Sequence, residues 1–326
     1  MRIGFSIIMP NFNSLYLKRA IKSVINQTFD NWELILIDNF SKNFPDEFLN
    51  EINDKRINYF KFNNENNIAK SRNFGINKAK YNWIAFLDSD DVWINKKLEE
   101  VKKIIEKYDP DLIHHGMYYL PKKINFIKKI IIDKSKPLKN PILNSLIEEG
   151  NGIANSSVVV KKNKLIDINF ISEKKEKFSW EDYDCWLRLS LNNNKFFFIN
   201  KVLGYIWVGR GRVSDNEQTY INCKNFMREY KNLIVSILGT KKKRPFWISN
   251  IYASYFFKKK NYLRSFYFLV IGGDKKIKTK IKYMILNFLI FYQLIFLKNL
   301  KKIKKKIKIL FNRIILYEIK KIKFGS

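Results

Sequence analysis

Short apolar runs alternate with amphipathic stretches along the first third of the chain. Polar turn residues end each apolar run, as in strands that are buried on both faces of a sheet. The predicted strands are 5–9, 32–37, 56–62, 84–87 and 111–119, and the predicted helices are 14–27, 46–53, 68–79 and 96–108. Strands that alternate with helices form right-handed βαβ units. We therefore predict an α/β fold with a mixed, mostly parallel sheet flanked by helices.

The alternation weakens after about residue 120, where a basic and irregular segment occupies 122–139. The elements predicted beyond it are helices at 141–149, 179–191 and 222–238, and strands at 155–160, 196–199 and 202–208. The first of these strands is predicted from its β-branched residues. We predict one α/β domain over 1–215, with halves at about 1–115 and 116–215, and a helical region over 216–326.

The last part of the chain has a different charge pattern. From residue 241 onward the acidic residues are Asp274 and Glu318, while lysines abound. The apolar run at 283–297 is shorter than the roughly 20 residues that cross a bilayer. The segment 301–323 places apolar residues on one helical face and lysines elsewhere, which is typical of a helix lying in a membrane interface. The apolar residues are Ile303, Ile307, Leu310, Phe311, Ile314 and Ile322. The alternative is a helical lid packed on the preceding domain with a solvated lysine face.

The net charge of +32 on 326 residues indicates an anionic partner. The alternatives are a nucleic acid, an anionic bilayer surface and a phosphorylated substrate. The two cysteines, Cys185 and Cys223, show neither metal-ligand spacing nor a disulfide framework, so they fit a reducing cytosol. The apolar run at 5–9 is too short for a signal peptide, and we expect none.

Three carboxylates, Asp88, Asp90 and Asp91, follow the predicted strand 84–87 directly. Ligands of open α/β sheets bind at the carboxyl ends of the strands. Clustered carboxylate oxygens at such a place suit Mg²⁺ or Mn²⁺ holding a diphosphate. The alternative is a solvated turn followed by a helix that Asp91 caps.

Six short motifs follow one another along roughly residues 3–215. They are Ile7-Ile-Met-Pro10-Asn-Phe12-Asn13, Ser23-Val-Ile-Asn-Gln-Thr-Phe29, Ile37-Asp38-Asn39-Phe40-Ser41, Asn67-Ile-Ala-Lys-Ser-Arg72-Asn73-Phe-Gly75, Asp88-Ser89-Asp90 and Ser179-Trp180-Glu181-Asp182. In kind and order they resemble the motifs of family 2 glycosyltransferases, which have the GT-A fold. The resemblance implies a GT-A domain that transfers a sugar from a nucleotide-sugar donor.

The resemblance implies a nucleotide site formed by several of these motifs. Its residues would be Pro10, Phe12, Asn13, Asp38, Asn39, Arg72, Asp88 and Ser89. Phe12 would pack near the base and ribose, unless it is a core aromatic residue. Asn39 stands where the family has an acid that accepts the N3–H of uracil. An Asn carbonyl can accept the same hydrogen, and thymine presents the same edge, so the donor is a UDP- or a dTDP-sugar, with UDP favoured.

Two further positions in this half depart from the family or allow two roles. Asn67 replaces a usual glycine, and we expect it to tolerate the left-handed backbone of that loop. Arg72 is expected either to face the nucleotide or to brace the acidic turn.

The resemblance also assigns the chemistry. Asp90 would ligate Mg²⁺ or Mn²⁺, and Asp88 would reach the ribose or, through water, the metal. Asp182 would be the general base that takes a proton from the acceptor hydroxyl, with Glu181 orienting it. A single displacement inverts the anomeric centre. The alternative for the two acids of 181–182 is a helix N-terminus favoured by the macrodipole.

The segment 204–214 lies where many relatives carry a histidine that is absent here, and Arg210 or Arg212 is the predicted diphosphate contact instead. His114 and His115 are neighbours on a predicted strand, so they point to opposite faces and cannot both line one site. We expect at most one of them near the acceptor.

The predicted function is an inverting, metal-dependent transfer from a nucleotide sugar to a saccharide acceptor, lipid-linked, in bacterial surface-glycan synthesis. The basic C-terminal helices would hold the enzyme on the anionic inner face of the cytoplasmic membrane, and a homo-oligomer is compatible with the sequence. One alternative is a nucleotidyltransferase, although 10–13 lacks the glycine-rich first loop of that class. Another is a nucleic-acid-binding protein, which charge alone suggests, and we expect no specific nucleic acid.

Overall fold

The computed structural model of the chain describes residues 2–42, 44–120, 135–174, 180–207, 216–240 and 244–271, together with residues 300, 304 and 305. The chain divides into two compact units, Met1–Pro245 and Phe246–Ser326. The predicted diphosphate contacts Arg210 and Arg212, and most of the predicted interfacial helix at 301–323, lie outside the described residues.

The first unit begins with the predicted alternation of strands and helices. In chain order the elements are β1 (Phe5–Asn11), α1 (Leu17–Ile25), β2 (Trp32–Asp38), α2 (Asp46–Ile52), β3 (Ile57–Lys61), α3 (Ile68–Lys78) and β4 (Trp83–Phe86). Every residue of β1, β2 and β4 is buried. Continuous burial explains why these strands are uninterrupted apolar runs, since helices cover both faces of the sheet.

The remaining elements of the first unit complete the sheet and add helices. They are β5 (Val92–Trp93), α4 (Lys97–Tyr108), β6 (Leu112–Leu120), α5 (Ile142–Glu149), a 3-10 helix (Asn155–Ser157), β7 (Val159–Lys161), α6 (Lys162–Asp167), α7 (Glu181–Leu191), β8 (Phe196–Trp207), α8 (Asn216–Glu229) and α9 (Lys231–Leu238). The sheet has eight strands in the order β3-β2-β1-β4-β7-β6-β8-β5. β1, β2, β3 and β4 are parallel neighbours, whereas β7 is antiparallel to both β4 and β6. The predicted mixed, mostly parallel sheet is confirmed.

Several predicted element boundaries are wrong. The predicted strand 155–160 is a 3-10 helix followed by the short β7, and the predicted strands 196–199 and 202–208 are the single strand β8. The polar pair Asn200-Lys201 separates the two predicted strands, and it falls where the pairing of β8 with β6 is irregular, between Ile199 and Val202. The predicted helix 222–238 is two helices, α8 and α9.

The loop before α3 uses its asparagines differently from the expectation. Asn67 has an extended backbone with φ −124° and caps α3, because its side-chain oxygen accepts the Ala69 N–H. The left-handed residues of the loop are Glu65 and Asn66, with φ of 53° and 58°. A glycine at position 67 is therefore not required by the backbone.

α8 and α9 belong to the first unit, beyond the boundary near residue 215 that the sequence suggested. The Tyr230 hydroxyl donates to Asp184 at 2.6 Å, and the Phe226 ring stacks on Tyr183 at 5.3 Å between centroids. These contacts fix α7, the helix that begins with Glu181 and Asp182, against a packed helical layer.

The second unit contains α10 (Phe246–Lys258) and α11 (Tyr262–Ile271), which pack as a helical hairpin. Ser265 and Leu269 of α11 are buried, and the Ser265 hydroxyl donates to the Ala253 carbonyl at 2.9 Å. None of the helices in the described residues has the length and apolar character needed to span a bilayer.

Candidate active site

The acidic loop after β4 lies at the carboxyl end of a central strand, as predicted. Asp88, Ser89 and Asp90 are half-buried there. The 3-10 helix fixes the first of them, since Asn155 Nδ2 donates to Asp88 Oδ1 at 3.0 Å and the Asp88 N–H donates to Ser156 Oγ at 3.0 Å. The Asp88 carboxylate thus has a set orientation before any ligand binds.

Helix α1 and the end of β8 hold the main chain of the same loop. Arg19 donates to the Asp90 carbonyl at 2.7 Å, and its guanidinium packs over the Tyr16 and Trp207 rings at 4.7 and 4.9 Å. Ser14 Oγ donates to the Ser89 carbonyl at 2.9 Å. These bonds use carbonyl groups of the loop, so they fix the position of Asp90 without engaging its carboxylate.

The third carboxylate, Asp91, has a different role from its neighbours. It is 5% exposed and accepts hydrogen bonds from Ser156 Oγ at 2.6 Å and from the Trp207 N–H at 3.1 Å. Burial, followed by the charges of Asp88 and Asp90, raises the pKa of Asp91 to about 8. The alternative of a solvated turn with a capping Asp91 is wrong, because Asp91 is buried and α4 begins only at Lys97.

Arg72 connects the acidic loop to the start of α7. Its side chain is 3% exposed, and it forms ion pairs with Asp88 at 2.9 Å and with Glu181 at 2.5 Å. Burial alone would lower the pKa of Arg72, but the carboxylates of Asp88, Glu181 and Asp182 raise it above its ordinary value. These ion pairs are the contacts expected of a bracing residue, and the nucleotide contact of Arg72 stays a prediction.

Asp182 lies beside this ion-pair cluster, in the first turn of α7. Its Oδ1 accepts the Tyr183 N–H at 2.7 Å, and its Oδ2 accepts from Asn151 Nδ2 at 3.4 Å. Burial raises the pKa of Glu181, and the Arg72 charge opposes that rise. Because Arg72 pairs with both Asp88 and Glu181, the acidic loop and the start of α7 lie side by side.

The turns after β1 and β2 form the other side of the site. Asp38 is fully buried and accepts from Asn11 Nδ2 at 2.6 Å and from the Ser41 N–H at 2.8 Å. Asn13 joins the two turns, because its N–H donates to Ser41 Oγ at 2.7 Å and its Oδ1 accepts the Lys42 N–H at 2.9 Å. Asp38 therefore connects the end of β1 to the turn after β2 by hydrogen bonds.

Two predicted nucleotide contacts differ in their exposure. Phe12 is 57% exposed, so it is not a core aromatic residue. Asn39 is 8% exposed, and its Oδ1 accepts the Asn64 N–H at 3.1 Å. A carbonyl oxygen has a second lone pair, so this bond leaves Asn39 able to accept another hydrogen. Pro10 is buried within β1, opposite Ile37 of β2.

His114 and His115 do not enter the site. Both are buried, and His114 Nδ1 lies 3.1 Å from Ser135 Oγ while His115 Nδ1 lies 2.9 Å from the Gly116 carbonyl. Burial lowers the pKa of His114 to about 3 and lowers that of His115 as well. Both are core residues of β6.

The carboxylates of the acidic loop suit a divalent cation that is shared with a phosphate group. The described residues contain no cluster of three or more His, Cys, Asp or Glu side chains suited to a metal. Mg²⁺ and Mn²⁺ at phosphate sites need only one or two carboxylates, with phosphate oxygens and water completing the shell. Asp90, held through its carbonyl and half-buried, and the preorganised Asp88 fit that requirement.

Sequence reasoning missed three residues that shape this site, namely Arg19, Asn155 and Ser156. The polar Asn155-Ser-Ser157 cluster before a run of valines was the available signal. Clusters of Asn and Ser favour turns over strand interiors, so this segment should have been separated from β7.

The chain is similar in sequence to known glycosyltransferases. The profile of the family described as Glycosyl transferase family 2 matches residues 6–166. The Escherichia coli protein "UDP-Glc:alpha-D-GlcNAc-diphosphoundecaprenol beta-1,3-glucosyltransferase WfgD" is 31% identical over 190 residues, which are 58% of this chain and 70% of that protein. At this level of identity and coverage, the two proteins belong to the same family.

Solved structures show the same fold. Staphylococcus aureus TarS 1–349 in complex with UDP-GlcNAc matches with a TM-score of 0.54 at 16% identity, over 79% of this chain and 88% of that one. The mannosyltransferase PcManGT from Pyrobaculum calidifontis, in complex with GDP-Man and Mn²⁺, matches with a TM-score of 0.53 at 10% identity, over 83% and 73% of the two chains. The comparisons give no support to the nucleotidyltransferase or nucleic-acid-binding alternatives.

Proposed function

The chain belongs to glycosyltransferase family 2, and from that premise we propose that it transfers a sugar from a UDP-sugar to a lipid-linked saccharide, with inversion at the anomeric carbon. The acceptor is proposed to be an intermediate of a bacterial surface glycan. The name of WfgD supports both substrates, since it specifies a UDP-sugar donor and a diphosphoundecaprenol-linked acceptor for that relative.

The observation that carries the proposal is the pair of contacts made by Arg72. One contact is with Asp88 in the acidic loop and the other is with Glu181 at the start of α7. The donor diphosphate belongs beside the first, and the acceptor hydroxyl belongs beside the second. A transfer reaction needs the two substrates in one cleft, and Arg72 joins the two walls of such a cleft.

The donor nucleotide is proposed to lie along the carboxyl ends of β1, β2 and β4. Phe12 would contact the base and Asn39 would accept its N3–H. The remaining contacts would come from Pro10, Asn13, Asp38, Asp88 and Ser89. The open face of Phe12 and the shared hydrogen bonds of the β1 and β2 turns support this placement. UDP is preferred over dTDP because the WfgD donor is a UDP-sugar.

Asp90, with Asp88 beside it, would hold Mg²⁺ or Mn²⁺. When bound, the cation supplies charge neutralisation for the departing nucleoside diphosphate. This chain would contribute the fixed position of Asp90, through the Arg19 bond to its carbonyl. The Mn²⁺ in the PcManGT complex supports a divalent cation, and Arg210 or Arg212 would add a contact to the diphosphate.

Asp182 is proposed to be the general base. As the acceptor oxygen forms its bond to the anomeric carbon, Asp182 accepts the hydroxyl proton, and the carbon–oxygen bond to the diphosphate breaks on the opposite face. An α-linked donor then gives a β-linked product. Glu181 is paired with Arg72 and oriented by it, and Asp182 follows Glu181 in the first turn of α7, beside that ion pair.

Transfer of radiolabelled sugar tests this assignment. Removal of a general base lowers rates by about 10² to 10⁴, so Asp182→Asn should lower turnover by that factor while the UDP dissociation constant stays within about twofold. Asp167→Asn, an exposed acid on α6, is the matched control and should behave as wild type. Wild-type turnover in Asp182→Asn would refute the assignment of the base.

We also propose that the basic helical region, 216–326, holds the enzyme peripherally on the inner face of the cytoplasmic membrane. Leu263, Phe266 and Tyr267 share one face of α11 and are 75%, 40% and 47% exposed. Exposed lysines at 258–260 precede that face. Apolar side chains beside lysines suit the boundary between acyl chains and anionic headgroups.

Sedimentation of the full chain with vesicles tests the membrane proposal. Leu263→Asp with Phe266→Asp should reduce binding to vesicles that contain anionic lipid, since both changes place charge at the apolar boundary. Ile166→Asp is the control, because Ile166 is 50% exposed on α6 in the first unit. Equal binding of the double variant and the wild type would exclude α11 as the membrane contact.

A further inference from the structure

Phe40 adopts a backbone conformation that a bulky residue rarely takes. Its φ is +53°, in the left-handed region, and its side chain is 61% exposed. Glycine, Asn and Asp occupy this region with least strain, whereas an aromatic residue there is an outlier. An exposed ring gains little from packing on the fold, so burial does not offset the strain at this position.

The surrounding turn holds Phe40 in this conformation. Asp38 Oδ2 accepts the Ser41 N–H at 2.8 Å, and Asp38 Oδ1 accepts the Ser41 hydroxyl at 2.6 Å. The Lys42 N–H donates to Asn13 Oδ1 at 2.9 Å. Residues on both sides of Phe40 are therefore fixed, and the strained backbone is retained. Strain of this kind concentrates at ligand sites, where the structure around it determines the conformation.

The position of Phe40 in the sheet indicates the kind of ligand that its ring would contact. Asn11 of β1 pairs in register with Asp38 of β2, so Phe12 and Phe40 follow neighbouring parallel strands at one edge of the sheet. Phe12 is also more than half exposed, at 57%. Two exposed aromatic rings at the carboxyl ends of adjacent strands suit a planar, aromatic ligand, because such rings stack on bases.

We propose that Phe40 is a specificity-determining residue whose ring packs against the base of the donor nucleotide, on the edge that Phe12 also borders. The left-handed backbone turns the ring away from the protein interior and towards the nucleotide. A glycine at position 40 would suit the turn better but would leave that side of the base open to water. This inference rests on the proposed nucleotide-sugar donor.

Calorimetric titration of the full chain with UDP and Mn²⁺ tests the inference, with three variants beside the wild type. Phe40→Gly removes both the ring and the strain, and Phe40→Tyr keeps an aromatic ring. Phe170→Gly is the matched control, since Phe170 is the same residue type at φ +59° and lies in the turn after α6 rather than after β1 or β2. Thermal unfolding without ligand reports the strain separately.

Loss of one base–aromatic contact predicts a roughly five- to 150-fold weaker UDP affinity for Phe40→Gly. Its unfolding temperature should equal or exceed that of the wild type. Phe40→Tyr and Phe170→Gly should bind UDP within about twofold of the wild type. This combination would assign the loss to the ring rather than to the turn.

Two results would overturn the inference alone. One is a Phe40→Gly variant that binds UDP within about twofold of a wild type that itself binds; the other is an equal loss in Phe40→Tyr and Phe40→Gly. A wild type that binds none of UDP, dTDP, GDP or ADP in the presence of Mn²⁺ would overturn the proposed function as well. The two failures are therefore distinguishable.

Discussion

Replacing Arg72 with Met should destabilise the protein strongly, because a buried cation that serves two carboxylates is lost. Arg72 is 3% exposed, and its partners Asp88 and Glu181 are 32% and 19% exposed. At an effective dielectric constant of about 20, each contact contributes roughly 4 kcal/mol of Coulomb attraction, and desolvation of the ions offsets much of it. Breaking such a buried pair typically costs about 3–5 kcal/mol, and we expect that range.

Urea unfolding, followed by tryptophan fluorescence, measures the loss. Glu181→Gln alone should also destabilise, and the double variant should be more stable than the sum of the single effects predicts, by roughly 1–3 kcal/mol. Lys103→Met, which removes an exposed ion pair with Glu99 on α4, is the control and should leave the midpoint unchanged. Additivity of Arg72→Met and Glu181→Gln within about 0.5 kcal/mol would refute the coupling.

The dependence of stability on pH gives a second readout of the same cluster. Burial already raises the pKa of Glu181, and Arg72 opposes that rise, so Arg72→Met should raise it further. An acid whose pKa is higher in the folded than in the unfolded state binds more protons when folded. Stability is then lost as pH rises from the unfolded pKa through the folded one. Arg72→Met should therefore lose stability as pH rises above about 4.3, and adding Glu181→Gln should remove that loss.

Four further predictions follow from other contacts. The pKa of the buried His114 is lowered to about 3, so unfolding takes up a proton once the pH falls below about 6.5. The free energy of unfolding should therefore fall by up to about 1.4 kcal/mol for each pH unit below that value. His114→Phe should remove this part of the pH dependence, as measured by urea unfolding at a series of pH values. Ser156→Ala should cost about 1–3 kcal/mol, because Asp91 loses a donor at 2.6 Å, whereas the exposed Ser236→Ala should not change the unfolding midpoint. Gly75→Ala would place a Cβ 2.7 Å from Ile8 Cγ2, so it should destabilise by about 1–3 kcal/mol, and Ile8→Val should recover part of that loss. Removal of divalent cations with EDTA should weaken UDP binding at least tenfold in calorimetry, and Mn²⁺ should restore it.

The sequence predicted those elements whose residue pattern reflects burial of a contiguous segment. Uninterrupted apolar runs predicted β1, β2 and β4, because burial on both faces leaves no polar position in them. The carboxylates after β4 were located for the same reason, as the first polar residues beyond a buried strand. The prediction failed where the cause is distant in sequence. Nothing near Arg72 indicates Glu181 as a partner, since 109 positions separate them.

Short elements were harder to predict than long ones. The six-residue α6 has too few positions for a helical period to appear, and it was missed. The 3-10 helix at Asn155–Ser157 was assigned to the following strand, although its side chains serve Asp88 and Asp91. The sequence of such a segment shows which hydrogen-bond donors and acceptors it carries, but their partners depend on the tertiary structure.

The charge of the site is opposite in sign to the charge of the chain. The chain carries +32, and a field of that sign draws an anionic donor towards the protein. The candidate site, by contrast, gathers Asp88, Glu181 and Asp182 around the buried guanidinium of Arg72, and Asp90 follows Asp88 in the acidic loop. A diphosphate that arrives there meets carboxylates, which repel it, unless a divalent cation lies between them. The two charges would therefore act together in the proposed reaction: the positive charge of the chain would raise the local concentration of donor, and the acidic cleft would favour donor that carries a divalent cation.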